Sequence, residues 1–120
     1  MRICIDLDGT ICENRKKSQS YINVLPKKDA IKTIKKLKKK GHKIIIFTSR
    51  HMKTCNNNMG KIVAKQGLNL LNWLNSYEIP YDEIWFGKPL ADIYIDDKAK
   101  KFTTWQDVNR NIVQKKGKQI

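Results

Sequence analysis

The strongest structural signal in this sequence is the stretch Ile3-Cys4-Ile5-Asp6-Leu7-Asp8-Gly9-Thr10. Its apolar start predicts a short buried strand, which ends in two carboxylates, Asp6 and Asp8. Ligands bind at the C-terminal ends of parallel strands, so we expect both carboxylates at the mouth of a crevice. Residues two apart on a strand face the same way, and like charges that close are costly without a cation between them. The spacing therefore predicts a divalent metal site, with Mg²⁺ as the ion. Taken alone, the stretch is equally compatible with a simple Asp-Gly turn after a strand.

Length and composition favour one compact unit. The 120 residues, 40% hydrophobic and 30% charged, predict a single globular domain spanning residues 1–120, without room for a separate cap domain. No apolar run approaches membrane-spanning length, so we expect no membrane partner. The three cysteines, Cys4, Cys12 and Cys55, lack metal-ligand spacing and are interpreted as reduced thiols, with Cys4 buried in the first strand. These features predict a cytoplasmic protein.

The chain is strongly basic. It has 25 Lys and Arg residues against 11 Asp and Glu residues, a formal net charge of +14, which raises the possibility of a nucleic-acid partner. Most of the excess is lysine, spread in short runs such as Lys38-Lys39-Lys40 without interleaved aromatic residues. This pattern favours solvated helix faces that attract anionic substrates over a nucleic-acid surface.

The rest of the chain alternates between helical and strand patterns, which predicts a Rossmann-like, doubly wound α/β fold with a parallel sheet. A polar stretch over residues 12–25 is expected to lean over the site as a loop or small hairpin, and residues 51–66 are expected to form a second long loop. The predicted elements are helices over residues 27–40, 67–77 and 104–114, strands over 43–47, 82–86 and 92–95, and a frayed basic tail from Gly117 onward.

Each of the four predicted strands is followed by polar or charged residues. Because parallel strands share one C-terminal edge, these groups are expected to meet at the same crevice. The hydroxyl and guanidinium groups that follow the second strand are the donors expected around a phosphate. The four sets are Asp6 with Asp8, Thr48-Ser49-Arg50, Lys88, and Asp96 with Asp97.

These four sets resemble the four motifs of the haloacid dehalogenase superfamily of aspartate-nucleophile phosphatases, over about residues 1 to 100. More narrowly, the phrases Phe47-Thr48-Ser49-Arg50, Gly87-Lys88-Pro89 and Tyr94-Ile95-Asp96-Asp97-Lys98-Ala99 are similar to those of the small capless phosphatases of capsular polysaccharide biosynthesis. The resemblance implies Mg²⁺-dependent hydrolysis of a small phosphorylated metabolite, such as a sugar or polyol phosphate.

The resemblance also implies a role for each residue. Asp6 would attack phosphorus and form an aspartyl-phosphate, and Asp8 would act as general acid and then as general base. Thr48 and Lys88 would bind the transferring phosphoryl group, while Ser49 and Arg50 are candidate phosphate or substrate contacts. Mg²⁺ would be held by the Asp6 carboxylate, the Asp8 backbone carbonyl and Asp96, with Asp97 acting directly or through a water.

Two other functions stay open at this point. The basic charge and the open site are compatible with a phosphatase for nucleic-acid ends, whose binding would depend strongly on salt. Asp, Thr and Lys also gather at one sheet edge in phosphoacceptor signalling modules, although the spacing of Asp6 and Asp8 argues against that class. Without a cap, water exclusion would need a loop or a neighbouring subunit, so we expect a homo-oligomer.

Overall fold

A computed structural model describes residues 1–114 and shows an α/β, Rossmann-like fold. Three parallel strands form one sheet in the order β1-β2-β3. A short 3₁₀ turn at Tyr21–Asn23 lies between β1 and α1, and a π-helical turn at Asn109–Val113 follows α3. The strands are β1 (Arg2–Asp6), β2 (Lys43–Thr48) and β3 (Glu83–Phe86), and the helices are α1 (Ala30–Lys39), α2 (Met59–Ser76) and α3 (Trp105–Val108).

The central strand is β2, as its continuous apolar run predicts. Ile44, Ile45 and Ile46 are all buried, because strands pair on both sides of β2. In the register, Ile5 of β1 lies beside Ile46, which lies beside Ile84 of β3. This parallel register brings the C-terminal ends of all three strands to the same edge of the sheet.

The two faces of the sheet are buried to different degrees. Ile5, Ile44 and Ile46 belong to the main core, whereas Cys4 and Trp85 are exposed on strands β1 and β3. The prediction that Cys4 is buried was therefore wrong. A strand alternates its side chains between two faces, and Cys4 does not share the face that carries Ile5.

Helix α1 follows the predicted apolar spacing but begins later than expected. Ala30, Ile34 and Leu37 are fully buried along one side of the helix. The helix starts at Ala30 because Asp29 has left-handed backbone angles, with φ of 65°, which an α-helix cannot include. It ends before Gly41, whose φ of +93° suits a glycine after a helix C-terminus.

Helix α2 is longer than the sequence pattern predicted. The expected loop over residues 51–66 stops at Asn58, whose side chain accepts a hydrogen bond from the Lys61 amide at 3.1 Å and caps the helix. The two glycines in the helix obscured its start, although neither breaks it. Trp73 is buried, and its indole nitrogen donates to the Val24 carbonyl at 2.9 Å, which ties α2 to the polar stretch over residues 12–25.

The predicted fourth strand over residues 92–95 does not form, and the described chain has a three-stranded sheet. Ile93 and Ile95 are exposed, and no strand lies beside the outer edge of β1 within residues 1–114. A strand needs a neighbouring backbone for its hydrogen bonds, which a short β-branched pattern cannot supply by itself. Instead, the Tyr94 hydroxyl donates to the Pro89 carbonyl, and Lys88 Nζ lies 4.4 Å from the centre of the Tyr94 ring.

The C-terminal helical segment packs against α1 and reaches the end of β1. The predicted helix over residues 104–114 consists of α3 followed by a π-helical turn, and Thr104 caps it by accepting from the Asp107 amide. The Trp105 indole donates to the Thr10 carbonyl at 2.7 Å. The tail predicted from Gly117 lies outside the described residues. Within the part described, no helix combines the length and apolar character needed to cross a membrane.

Candidate functional site

A tight turn follows β1 and places Asp8. The Leu7 carbonyl accepts hydrogen bonds from the amides of Thr10, Ile11 and Cys12 at 3.2, 2.9 and 3.2 Å. Gly9 has a φ of +82°, and a Cβ at this position would lie 3.3 Å from the Asn14 side chain. Only glycine adopts this conformation without strain, so the turn that places Asp8 requires Gly9.

Asp6 contacts a lysine from the end of β3. Its Oδ1 lies 3.2 Å from Lys88 Nζ, and its Oδ2 accepts from the Thr10 hydroxyl at 3.2 Å. The Lys88 amide donates to the Thr48 carbonyl at 3.0 Å, which holds the start of the Lys88 segment beside the end of β2. The side chain of Asp6 remains 33% exposed and is therefore accessible to a substrate.

Asp8 is held by Arg50 in a two-point hydrogen bond. Arg50 Nε donates to Asp8 Oδ2 at 3.1 Å, and Nη2 donates to Oδ1 at 2.7 Å. Arg50 is only 7% exposed, and its guanidinium stacks 3.9 Å from the centre of the Tyr21 ring. This paired geometry fixes the orientation of the carboxylate, because a planar guanidinium matches both of its oxygens.

Thr48 and Ser49 shape the turn that presents Arg50. The Thr48 hydroxyl oxygen accepts from the Arg50 amide at 3.0 Å, and Thr48 is fully buried at the end of β2. The Ser49 carbonyl accepts from the Met52 amide at 3.0 Å. Both residues thus lie at the sheet edge that carries the carboxylates, and the Thr48 hydroxyl and the Ser49 carbonyl bond within their own turn.

Cys12 lies next to Asp8, and the sequence pattern gave it no role. Its Sγ is 3.5 Å from Asp8 Oδ1, and the side chain is fully buried. Burial, reinforced by the nearby Asp8 charge, raises the pKa of the Cys12 thiol to about 12. A thiol in this state is a poor nucleophile at neutral pH, so the candidate nucleophiles of the site are its carboxylates.

Asp96 and Asp97 lie apart from this arrangement. Both are exposed, and Asp96 accepts a local hydrogen bond from the Lys98 amide at 2.8 Å. Neither is hydrogen-bonded or ion-paired to Asp6, Asp8, Thr48 or Lys88 among residues 1–114, and no group of three or more potential metal ligands from His, Cys, Asp and Glu occurs there. Their predicted role at a metal therefore stays a prediction.

The oxygen donors at the edge of the sheet nevertheless suit Mg²⁺. This ion prefers carboxylate oxygens, keeps several waters, and is commonly held by one or two carboxylates together with substrate phosphate. Asp6 supplies one partly exposed carboxylate, and its present partners, Lys88 and Thr10, are the kind of donors that a bound phosphate would engage instead. The chemistry of the donor set therefore fits the ion without a dedicated cage of protein ligands.

Two further residues of the site were not predicted. Tyr21 supplies the ring beneath Arg50, and His51 packs edge-on against the same ring with 5.3 Å between ring centres. Burial, and then the nearby charges of Lys65, Arg50 and Arg15, lower the pKa of His51. No spacing rule pairs Tyr21 with Arg50 or His51, because the contact is made across the fold by two separate loops.

Comparison with known proteins links the chain to a hydrolase family. Residues 3–85, more than half of the chain, match the family model described as haloacid dehalogenase-like hydrolase. The matched range contains Asp6, Asp8, Thr48 and Arg50. No curated protein sequence shows significant similarity to this chain.

Among the solved structures that resemble this chain, one is similar over most of both chains and two are similar more weakly. A protein from Vibrio cholerae is 32% identical with a TM-score of 0.77, and the alignment covers 91% of this chain and 94% of that one. Chains from two structures of the Pnkp1/Rnl/Hen1 complex, one described as an RNA repair complex, are 19% and 20% identical with TM-scores of 0.46 and 0.45. The alignments cover 92% and 94% of this chain but only 31% and 34% of theirs. Backbone similarity as weak as these two matches says nothing about function.

Proposed function

Because this chain belongs to the haloacid dehalogenase-like hydrolases, we propose that it is a Mg²⁺-dependent phosphomonoesterase that works through an aspartyl-phosphate. The observation that carries the proposal is the pairing of the two carboxylates after β1 with two different cations. Asp6 pairs with Lys88, and Asp8 pairs with Arg50. Two carboxylates in different environments can take different roles in one reaction.

Asp6 is the proposed nucleophile. Its partly exposed carboxylate attacks phosphorus, the bond from phosphorus to the leaving oxygen breaks, and the phosphoryl group is carried on Asp6 until water hydrolyses it. Lys88 supports this role because its ammonium, at 3.2 Å from Asp6 Oδ1, lies where it can also contact the phosphoryl oxygens and offset their charge.

Asp8 is the proposed general acid and base. It protonates the leaving oxygen in the first step and takes a proton from the attacking water in the second. Arg50 orients the Asp8 carboxylate from both oxygens, so we assign Arg50 a positioning role. Thr48, buried beside this pair, is the proposed hydroxyl contact to the phosphoryl group, and Ser49 is a further proposed phosphate contact.

Asp6, the Asp8 carbonyl and Asp96 are the proposed holders of Mg²⁺, with Asp97 assisting. When bound, the ion neutralises phosphate charge so that an anionic nucleophile can approach an anionic ester. Lys88 supplies one further positive charge at the Asp6 carboxylate.

The proposed substrate is a small phosphorylated metabolite, a sugar or polyol phosphate of capsular or other surface polysaccharide synthesis, hydrolysed in the cytoplasm. Support for the substrate class and pathway is the likeness of the chain to the small capless phosphatases of that process. The excess of positive charge, formally +14, also favours an anionic small molecule by raising its concentration near the protein.

The decisive experiment is to measure phosphate release from a panel of sugar, polyol, amino-alcohol and nucleotide monophosphates, with Mg²⁺ and with a chelator. We expect repeated, metal-dependent turnover concentrated on one chemical group. Uptake of one equivalent of phosphoryl group by the protein, without repeated phosphate release, would instead indicate a phosphoacceptor module, which holds its phosphoryl group. The nucleic-acid alternative is tested with a 5′-phosphorylated oligonucleotide, whose binding must fall steeply between about 50 and 200 mM salt if it is the substrate.

A further inference from the structure

A small cavity is lined in part by Arg50, the residue that binds Asp8. It has a volume of about 160 Å³ and lies between the 3₁₀ turn, the turn after β2 and helix α2. This volume is far below the roughly 300–1,000 Å³ of sites for drug-sized ligands, so it suits a leaving group of a few carbon atoms. The residues that matter for its chemistry are Tyr21, Arg50, His51, Lys65, Gln66 and Asn69.

Two buried polar atoms in the cavity wall lack partners among the described residues. Gln66 is only 4% exposed, and its Oε1 accepts no hydrogen bond, while its Nε2 makes one long contact of 3.4 Å to the Arg50 carbonyl. His51 Nδ1 is likewise buried and unpaired. A buried polar atom without a partner costs free energy, and a ligand that supplies the missing donor recovers it. Gln66 Oε1 needs a donor such as a hydroxyl group.

The cavity is also positively charged. Lys65 supplies the charge in its lining, which also contains Arg50, already paired with Asp8, and no Asp or Glu residue from the described part of the chain. Arg15 adds a third cation nearby, with its guanidinium 5.1 Å from the centre of the Tyr21 ring. Lys65 forms no ion pair within residues 1–114, so its charge is available to a ligand. This charge pattern favours an anionic group.

The position of the cavity connects it to the reaction. The leaving oxygen must lie beside Asp8 to receive its proton, Asp8 is bound to Arg50, and Arg50 forms part of the cavity wall. A substrate whose phosphoryl group lies at Asp6 and whose leaving oxygen lies at Asp8 would direct its organic part toward Arg50 and this cavity. This step rests on the phosphatase function proposed above.

We propose that this cavity is the subsite for the leaving group and that it selects a phosphorylated polyhydroxy acid, with a hydroxyl donating to Gln66 Oε1 and a carboxylate binding Lys65. The substrate class is thereby narrowed from sugar and polyol phosphates in general to those with an acid group. Neutral polyol phosphates fill the same space but leave the Lys65 charge unpaired.

The test compares two probes that differ at one carbon. Sorbitol 6-phosphate ends in a hydroxymethyl group where 6-phosphogluconate ends in a carboxylate. We expect kcat/KM of the natural sequence to be about five- to tenfold higher for 6-phosphogluconate, and Lys65→Met to bring the ratio to about one. Gln66→Met should lower kcat/KM for both probes by about tenfold without changing their ratio. Lys61→Met, on the same helix and outside the cavity, is the matched control and should change neither.

A binding measurement separates this inference from the phosphatase function. Calorimetric titration of the Asp6→Asn variant with each probe measures affinity without turnover. We expect this variant to bind 6-phosphogluconate about five- to tenfold more tightly than sorbitol 6-phosphate. The difference should disappear when Lys65→Met is added to the variant. If this preference appears while no phosphate is released by the natural sequence, the phosphatase function fails and the subsite stands. Equal affinity for the two probes, or a preference that survives Lys65→Met, overturns the subsite whether or not phosphate is released.

Discussion

At the level of single residues, the two carboxylates after β1 differ in how they are held. Asp6 has a lysine and a hydroxyl as partners and stays 33% exposed, whereas Asp8 is fixed on both oxygens by a buried arginine. A nucleophile must be reachable, and an acid or base must be well oriented, so these environments match the roles proposed for each.

Replacing Asp6 tests the nucleophile. Asp6→Asn keeps the size and a hydrogen-bonding group but removes the charged oxygen that attacks phosphorus, so we expect phosphate release to fall by about 10³-fold or more. Steady-state kinetics on the best substrate of the panel measures this, with circular dichroism to check folding. Asp92→Asn is the control, because Asp92 is exposed and lies outside the site, and it should keep full activity. Substantial turnover by Asp6→Asn would exclude Asp6 as the nucleophile.

Arg50 is tested by a change that preserves its charge. In Arg50→Lys a single ammonium replaces the planar guanidinium, and the two hydrogen bonds to Asp8 cannot both be kept. We expect kcat to fall by about 10- to 100-fold with a smaller change in KM. The reason is that proton transfer by Asp8 depends on the orientation of its carboxylate. The control is Arg2→Lys, which alters a comparable pair with Glu83 at the start of β1. An unchanged kcat would show that Asp8 needs no positioning by Arg50.

At the level of the elements, Asp82 joins α1 to the sheet. Its carboxylate accepts from Lys38 Nζ at 2.6 and 2.7 Å and from the Ile44 amide at 2.8 Å. The hydrogen bonds from Lys38 and then from Ile44 hold the pKa of Asp82 below its ordinary value of 3.8. A carboxyl whose pKa is lowered on folding stabilises the protein above its unfolded-state pKa, and this contribution is lost as the pH falls through the folded-state value.

The corresponding prediction concerns stability rather than activity. Asp82→Asn retains an acceptor for the Ile44 amide but loses the ion pair with Lys38, so we expect a modest fall in the free energy of unfolding at pH 7. The difference from the natural sequence should shrink as the pH falls below 3.8. Urea unfolding at a series of pH values measures it, with Glu78→Gln as an exposed control. A difference that does not change with pH would mean that the carboxylate charge contributes nothing.

The strands show what a local sequence pattern can predict. The apolar runs that became β1, β2 and β3 end close to where the pattern placed them, because each pairs with a neighbour. The run over residues 92–95 has the same β-branched character but no partner strand among residues 1–114, and its Tyr94 hydroxyl contacts the nearby Pro89 carbonyl instead. Strand pairing is a property of the folded sheet, so residue type alone could not decide it.

The proposed role of Asp96 as a Mg²⁺ ligand can be tested even though residues 92–95 form no strand. Asp96→Asn keeps an acceptor for the Lys98 amide, so the substitution removes the charge and spares the local turn. If Asp96 binds Mg²⁺, the Mg²⁺ concentration for half-maximal activity should rise by about tenfold or more. Metal titrations of phosphate release measure this, and Asp92→Asn again serves as control. An identical titration curve would remove Asp96 from the metal site.

For the molecule as a whole, the sequence predicted that the ends of β1, β2 and β3 meet at one edge of the sheet, but not that Asp8 pairs with Arg50 there. Asp6 and Lys88 are in contact because the ends of β1 and β3 lie at the same edge of the sheet. The pairing of Asp8 with Arg50 also involves Tyr21, whose ring supports the guanidinium from a separate loop. Contacts between loops are set by the packing of α2 and the 3₁₀ turn, and no periodicity in the sequence encodes them.

The surface beyond β3 is unusually apolar for a chain with so many lysines. Trp85 is 56% exposed, Ile93 74% and Ile95 92%, and these residues lie within eleven positions of each other. Exposed apolar surface commonly marks protein contacts. The same segment adjoins the site, since Lys88 contacts both Asp6 and the Tyr94 ring. A second copy of the chain packed here would exclude water from carboxylates that the chain alone leaves partly open.

We therefore expect a homodimer, and sedimentation velocity at micromolar concentrations measures it. The double variant Ile93→Lys with Ile95→Lys should be monomeric, because two added charges cannot be buried in an apolar contact. Leu68→Lys, at an exposed leucine on α2, is the matched control and should remain dimeric. If water exclusion depends on the contact, the monomeric variant should also lose activity in proportion to the loss of dimer. The expectation fails if the natural sequence sediments as a monomer or if the double variant stays dimeric. In either case the chain's own loops would have to exclude water from the site.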